Sequence, residues 1–154
     1  MKNSYALITG ASSGIGLEIA KKLAHEGYNL ILTARRTELL ESLAKEITDK
    51  NNVHVDLISK DLSKYEAPKE IYEFCESKQY KVDLLVNNAG YGIKTSFHET
   101  SIEIEEDFIR VLGTSVIMLT KLFIPKMLSN GGGKIMIVSS VASFAAPSAI
   151  QPLY

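Results

Sequence analysis

The sequence has little excess charge, a single cysteine and no long hydrophobic run. Its 154 residues include 17 basic and 18 acidic side chains, for a formal net charge of −1, whereas nucleic-acid-binding domains usually carry a basic excess. The only cysteine, Cys75, excludes an internal disulfide framework and fits a reducing compartment. No run reaches the ~18 apolar residues of a membrane-spanning helix. We therefore expect a cytoplasmic protein without nucleic-acid or membrane partners.

What the sequence does have is the composition of an ordinary globular domain. Hydrophobic residues make up 45% and charged residues 23% of the chain, which argues against disorder. The apolar stretch near the N-terminus is too short for a signal peptide. Since one domain usually has roughly 100–200 residues, residues 1–154 are predicted to form a single domain.

Short apolar runs alternate with segments of helical periodicity along the chain. Because the runs are apolar without alternation, they indicate a parallel sheet covered on both faces, in a doubly wound α/β Rossmann fold of three layers. Pro125 is expected to bend or break the longest helix near its end. The predicted strands are Tyr5–Thr9, Asn29–Thr33, Val53–Ile58, Val82–Val86 and Lys134–Ser139. The predicted helices are Gly14–Glu26, Thr37–Lys50, Pro68–Ser77 and Ser101–Leu128.

The loop after the first strand is rich in glycine and leads directly into a helix. Its pattern, Gly10-x-x-x-Gly14-x-Gly16, is a variant of the dinucleotide-binding fingerprint. Free backbone N–H groups and the helix dipole attract a diphosphate there. We expect Gly10 to permit the tight turn, Gly14 the close approach of the diphosphate and Gly16 the close packing of the helix. The alternative is a glycine-rich turn without a ligand.

The loop after the second strand carries two arginines and no carboxylate before Glu38. An acidic residue in this loop binds the ribose of NAD, whereas arginine accommodates the 2′-phosphate of NADP. Arg35 and Arg36 are suited to bind a phosphate, so NADP(H) is predicted rather than NAD(H), with Arg35 as the favoured ligand. The alternative is a solvated basic pair at a helix start, which the helix dipole disfavours.

Polar residues also follow the remaining strands. The motifs are Asp61-Leu62, Asn87-Asn88-Ala89-Gly90 and Ser139-Ser140, followed by Tyr154. Together with Gly10-x-x-x-Gly14-x-Gly16, this set resembles the short-chain dehydrogenase/reductase family, over the whole chain and in the expected order. The resemblance implies that the glycine loop binds the pyrophosphate and the adenosine ribose through Gly10, Ser12, Ser13, Gly14, Ile15 and Gly16.

The resemblance implies further roles beside the cofactor. Asp61 and Leu62 would contact the adenine ring, and Asn88, Ala89 and Gly90 would lie beside the riboses. Alternatives stay open: Asp61 as a helix cap or turn former, and the asparagines as turn residues that brace the fourth strand.

The same resemblance implies that Tyr154 is the catalytic acid/base and that Ser140 orients the substrate carbonyl. A phenol has an unperturbed pKa of about 10 and needs a nearby cation to act near neutrality. In the family that cation is a lysine four residues later. Since the sequence ends at Tyr154, we expect a domain that is incomplete after its fifth strand and a 154-residue chain that is inactive alone.

Two departures from the family pattern leave details open. The spacing from Ser140 to Tyr154 is one residue longer than the resemblance implies, so either Ser139 or Ser140 is the catalytic serine, unless both merely end a strand. Arg110 stands where the family has an asparagine that supports a proton relay, three residues before Gly113. The effect of that replacement on the relay is open.

The predicted function is hydride transfer between NADP(H) and a small-molecule carbonyl or secondary alcohol. A homo-oligomer, dimer or tetramer, is expected for the full-length protein, built partly on the long helix. The three histidines lack metal-ligand spacing, so no metal is expected. The alternative is a non-catalytic dinucleotide-binding fragment or a degenerate family member. A nucleotide-sugar epimerase is disfavoured because those relatives carry a GxxGxxG loop.

Overall fold

Five apolar segments form one parallel sheet in the computed structural model, which describes residues 4–141. The strand order is β3-β2-β1-β4-β5, and each neighbouring pair is parallel. The order reverses direction between β1 and β4, which confirms the predicted doubly wound α/β fold. The strands are β1 (Ser4–Thr9), β2 (Asn29–Ala34), β3 (Val55–Ser59), β4 (Lys81–Asn87) and β5 (Lys134–Ile137).

Helices cover both faces of the sheet. Along β1, Ala6 and Ile8 pack with residues of the first two helices, while Leu7 packs with residues of the third and fifth. This follows from the geometry of a strand, in which successive side chains point to opposite faces. The helices are α1 (Gly14–His25), α2 (Thr37–Lys50), α3 (Ala67–Ser77), α4 (Ile102–Ile109) and α5 (Ser115–Ser129).

The long helix is interrupted at a different place from the one predicted. A π-helical turn at Arg110–Thr114 joins α4 to α5, and α5 continues past Pro125 to Ser129. An interior proline removes one backbone hydrogen bond. The helix persists there because Phe123 and Met127, on either side of the proline, are buried in the core. The expectation of a break at Pro125 is therefore wrong.

The helical run Ile102–Ser129 is long and apolar enough to cross a membrane, judged by length and composition alone. Core helices of soluble proteins satisfy the same criterion. In this run Phe108, Leu119 and Phe123 are buried against the rest of the protein. The absence of a membrane partner stays a prediction.

Candidate functional site

The loops that follow the five strands enclose a cleft of about 810 Å³ at the carboxyl edge of the sheet. This volume lies within the usual range for a small-molecule site. Gly16 does not line the cleft, and Tyr154 lies outside the described residues. The predicted site residues that line the cleft are Gly10, Ser12, Ser13, Gly14, Ile15, Arg35, Arg36, Asp61, Leu62, Asn88, Ala89, Gly90 and Ser140.

The three glycines of the first loop are required for different reasons. Gly10 and Gly14 have φ angles of +67° and +58°, a region that glycine adopts without strain. Gly16 has no such angle, but a Cβ atom there would lie 2.3 Å from Asn88 Nδ2 and 2.4 Å from the Gly10 carbonyl oxygen. Only glycine therefore lets α1 begin this close to the loops after β1 and β4.

Thr9, the last residue of β1, joins the first loop to the loop after β4. Its hydroxyl accepts hydrogen bonds from the backbone N–H groups of Asn88 and Ala89, both at 2.9 Å. The same hydroxyl donates to the Val86 carbonyl at 3.3 Å, which uses its full hydrogen-bonding capacity. The sequence interpretation missed this role, although a polar residue at the end of an apolar strand is a usable signal.

The two asparagines at the end of β4, Asn87 in the strand and Asn88 directly after it, also act as braces. Asn88 Nδ2 donates to the carbonyl oxygens of Thr9 and Gly10, at 2.9 and 3.3 Å. Asn87 is buried, and its Nδ2 donates to Thr120 Oγ1 of α5 at 3.3 Å. The backbone of the glycine loop is therefore held from the fourth strand.

The two arginines after β2 occupy different positions. Arg36 Nη2 donates to the hydroxyls of Ser12 and Ser13, at 3.2 and 3.1 Å, and so connects the second loop to the glycine loop. The Arg35 side chain lines the same cleft and makes no hydrogen bond or ion pair with another residue in the range 4–141. Both arginines thus line one cleft, and neither pairs with a carboxylate among the described residues.

Asp61 has a structural partner as well as a place in the cleft. Its Oδ1 accepts the backbone N–H of Ser63 at 3.0 Å, and its carbonyl accepts the N–H of Lys64 at 3.0 Å. Asp61 therefore shapes the turn after β3, as one of the sequence alternatives proposed. Its carboxylate still borders the cleft.

Further lining of the cleft comes from the loop after β4, from α4 and from the π-helical turn. Tyr91 lines the cleft and packs edge-to-face on Phe108, with ring centroids 5.4 Å apart. Burial and the nearby carboxylate of Asp107 raise the pKa of Tyr91, and Arg35 partly offsets this. Arg110 pairs with Glu106 and Asp107, at 3.1 and 3.8 Å, so carboxylates of α4 hold its guanidinium.

In the described part of the chain, neither the cysteine nor a cluster of metal-binding side chains offers a second site. Cys75 is fully buried, and burial raises the pKa of its thiol to about 12, so the thiol is packed rather than reactive. Within residues 4–141, no group of three or more histidine, cysteine, aspartate or glutamate side chains is arranged to hold a metal ion.

Comparison with known proteins agrees with this architecture. A family model described as short chain dehydrogenase matches residues 4–154. An uncharacterized oxidoreductase of Staphylococcus saprophyticus is 32% identical over 144 residues, which cover 94% of this chain and 62% of the relative.

Solved structures give the same result. A short-chain dehydrogenase from Sphingobium yanoikuyae in complex with NADPH is 30% identical, with a TM-score of 0.88 over 96% of this chain and 57% of that one. L-sorbose reductase from Gluconobacter frateurii, complexed with NADPH and L-sorbose, is 31% identical, with a TM-score of 0.89 and coverage of 99% and 59%.

The chain thus spans about three fifths of the length of these relatives. Three observations agree on one family: the strand order, the glycine loop and the family model that matches nearly the whole chain. The chain belongs to the short-chain dehydrogenase family of oxidoreductases.

Proposed function

We propose that the intact protein is an NADP(H)-dependent oxidoreductase that acts on a small-molecule carbonyl or secondary alcohol. The observation that carries this proposal is the cleft itself, in which the glycine loop and the arginine pair lie at the carboxyl edge of one sheet. The NADPH-bound relatives support the choice of a nicotinamide dinucleotide.

The residues of the cleft fit such a dinucleotide. A Cβ atom on Gly14 would meet nothing within 4 Å of the described atoms, so this glycine leaves the backbone open to a diphosphate, and the start of α1 offers N–H groups to it. Arg35 and Arg36 lie at the end of β2, where a 2′-phosphate would distinguish NADP from NAD. Because Arg36 bonds to the neutral hydroxyls of Ser12 and Ser13 and to no carboxylate within residues 4–141, its charge is available to a phosphate.

The chemistry divides between the dinucleotide and the chain. When bound, the dinucleotide supplies or accepts a hydride. We propose that Tyr154 donates the proton to the carbonyl oxygen, or removes it from the alcohol, and that Ser140 holds that oxygen by a hydrogen bond. Ser140 lies in the cleft, which is consistent with this role.

We also propose a cytoplasmic homo-oligomer. The side chains of Ile117, Ile124 and Leu128 on α5 are 65%, 37% and 70% exposed, at spacings that place them on one helical face. An exposed apolar stripe of this kind suits burial in a subunit interface.

Cofactor selectivity tests the proposal most directly. In the intact protein, Arg35→Ala and Arg36→Ala should each weaken NADPH binding by about tenfold or more, because a charge-assisted hydrogen bond is lost. NADH binding should hardly change, since it lacks the 2′-phosphate. Titration calorimetry with both dinucleotides measures this, and Lys45→Ala, an exposed cation on α2 that does not line the cleft, is the control.

Turnover tests the catalytic assignment separately. Tyr154→Phe should abolish NADPH consumption with ketone substrates while leaving NADPH binding intact. Full turnover in this variant would contradict the role of Tyr154. Binding without turnover by the unaltered intact protein would instead favour a non-catalytic dinucleotide-binding protein.

A further inference from the structure

The π-helical turn between α4 and α5 is held by a hydroxyl that no motif includes. The backbone N–H of Ser115 bonds to the Arg110 carbonyl, one residue further back than in an α-helix, where its partner would be Val111. The Ser115 hydroxyl donates instead to the Val111 carbonyl, at 2.8 Å. Ser115 is only 3% exposed, so an unpaired Val111 carbonyl would be costly there.

The turn places two side chains in the wall of the cleft. Val111 and Leu112 both line it, and Leu112 Cδ2 lies 2.9 Å from where a Cβ atom on Gly90 would stand. One extra residue in a helix rotates everything on one side of it by about 100° relative to the other side. A regular helix in place of the π-helical turn could not keep the buried face of α5 in the core and also bring Leu112 against Gly90.

We infer that Ser115 is a positioning residue for the dinucleotide cleft: its hydroxyl stabilises the turn that presses Leu112 against Gly90. This rests on the proposed function, because Gly90 is one of the residues expected beside the cofactor riboses. π-Helical turns are frequent at functional sites, and a serine hydroxyl bonded to the carbonyl four residues back is known to bend helices.

The test is a double-mutant cycle in the intact protein, read as NADPH affinity by titration calorimetry. Ser115→Ala and Leu112→Ala should each weaken NADPH binding about tenfold, the equivalent of one neutral hydrogen bond. The double variant should bind no more weakly than Leu112→Ala, because both changes remove the same contact. Ser129→Ala is the matched control, since its hydroxyl bonds to the Lys126 carbonyl at 2.9 Å at the far end of α5.

Three results would overturn the inference. Ser115→Ala with unchanged affinity would do so, as would losses that simply add in the double variant, because additive losses indicate a merely structural role. Unchanged affinity in Leu112→Ala, which leaves the Ser115 hydroxyl intact, would also contradict it and does not depend on whether Ser115→Ala folds.

A second measurement separates this inference from the proposed function. Amide hydrogen exchange in the ligand-free protein should speed up at residues 88–90 in Ser115→Ala but not in Ser129→Ala. Unchanged exchange there contradicts the positioning role. An unaltered protein that binds neither NADPH nor NADH contradicts the proposed function, while faster exchange in Ser115→Ala would still support the role of Ser115 in the cleft wall.

Discussion

The central strands β1 and β2 differ from the edge strand β5 in how fully the described residues cover them. Four residues of β1 and four of β2 are buried in an unbroken run, whereas all four residues of β5 are exposed. The glycine loop and the arginine pair follow the covered strands, and Ser140 follows the exposed one. The part of the cleft that fits a nucleotide is therefore supported on both faces, while the part next to Ser140 follows a strand that residues 4–141 leave exposed.

This difference in burial indicates which parts of the cleft owe their stability to residues 4–141 alone. A buried strand contributes its hydrophobic energy to folding, whereas an exposed apolar strand contributes little and is open to pairing with another segment. We expect the nucleotide half of the cleft to tolerate change poorly. Near β5, the effect of a substitution should depend on what covers that strand in the intact protein.

The largest expected effect comes from a matched pair of substitutions in the two strands. Ile31→Ala in β2, where the residue is fully buried, should lower the free energy of unfolding by about 2–5 kcal/mol. Ile137→Ala in β5, where the side chain is 57% exposed, should cost less than about 1 kcal/mol. Urea unfolding measures both. Equal losses would mean that β5 is covered in the intact protein, which would remove the contrast.

The next effect concerns the glycine that packs α1 against the loops. Gly16→Ala should lower the free energy of unfolding by about 1–3 kcal/mol, because the new methyl group meets Asn88 and the Gly10 carbonyl. It should also weaken NADPH binding. Gly113→Ala is the control and should not lower the free energy of unfolding. A Cβ there meets nothing within 4 Å of the described atoms, and alanine is more favourable than glycine in a helix by about 1 kcal/mol. A stable Gly16→Ala protein would show that the loop adapts.

The smallest expected loss of stability comes from a substitution at the edge of the sheet opposite the cleft. The Tyr80 hydroxyl donates to Asp56 Oδ2 at 2.8 Å, so Tyr80→Phe should cost about 0.5–1.5 kcal/mol. Burial and the bond to Asp56 raise the pKa of Tyr80 above 10.0. The folded state thus keeps a proton that the unfolded chain releases, so stability should fall as the pH rises above about 10.

Measuring the free energy of unfolding as a function of pH checks the direction of this change in stability. The decline above pH 10 should be shallower in Tyr80→Phe than in the unaltered protein. The slope need not vanish, because the pKa values of Tyr5 and Tyr91 are also raised. A steeper decline in the variant would contradict the assignment.

The sequence allowed the main elements to be predicted because their signals are local. The predicted helix Thr37–Lys50 has the observed bounds, since its apolar spacing is regular. The sequence pattern predicts the end of β5 at Ser139, two residues later than the observed end at Ile137. No periodicity separates the last residues of an edge strand from the loop that follows.

The features that were missed depend on partners distant in sequence or on backbone geometry. The π-helical turn leaves no mark in hydrophobic spacing, because it depends on one hydroxyl, that of Ser115, meeting one carbonyl. The position of Arg36 against Ser12 and Ser13 spans more than twenty residues and depends on how β1 and β2 align. That Arg35 is the favoured phosphate ligand stays a prediction, since both arginines line the cleft.

The hydrogen bonds of Thr9 also bear on when the cleft can form during synthesis. The Thr9 hydroxyl and the N–H of Asn88 are 79 residues apart, so the first loop must wait for the fourth strand before it is fully bonded. At a translation rate of roughly 5–20 residues per second, this wait lasts about 4–16 s. During that interval β1 and β2 can pair, but the glycine loop lacks its braces. We therefore expect a ribosome-bound chain to acquire dinucleotide affinity only once β4 and its following loop have emerged.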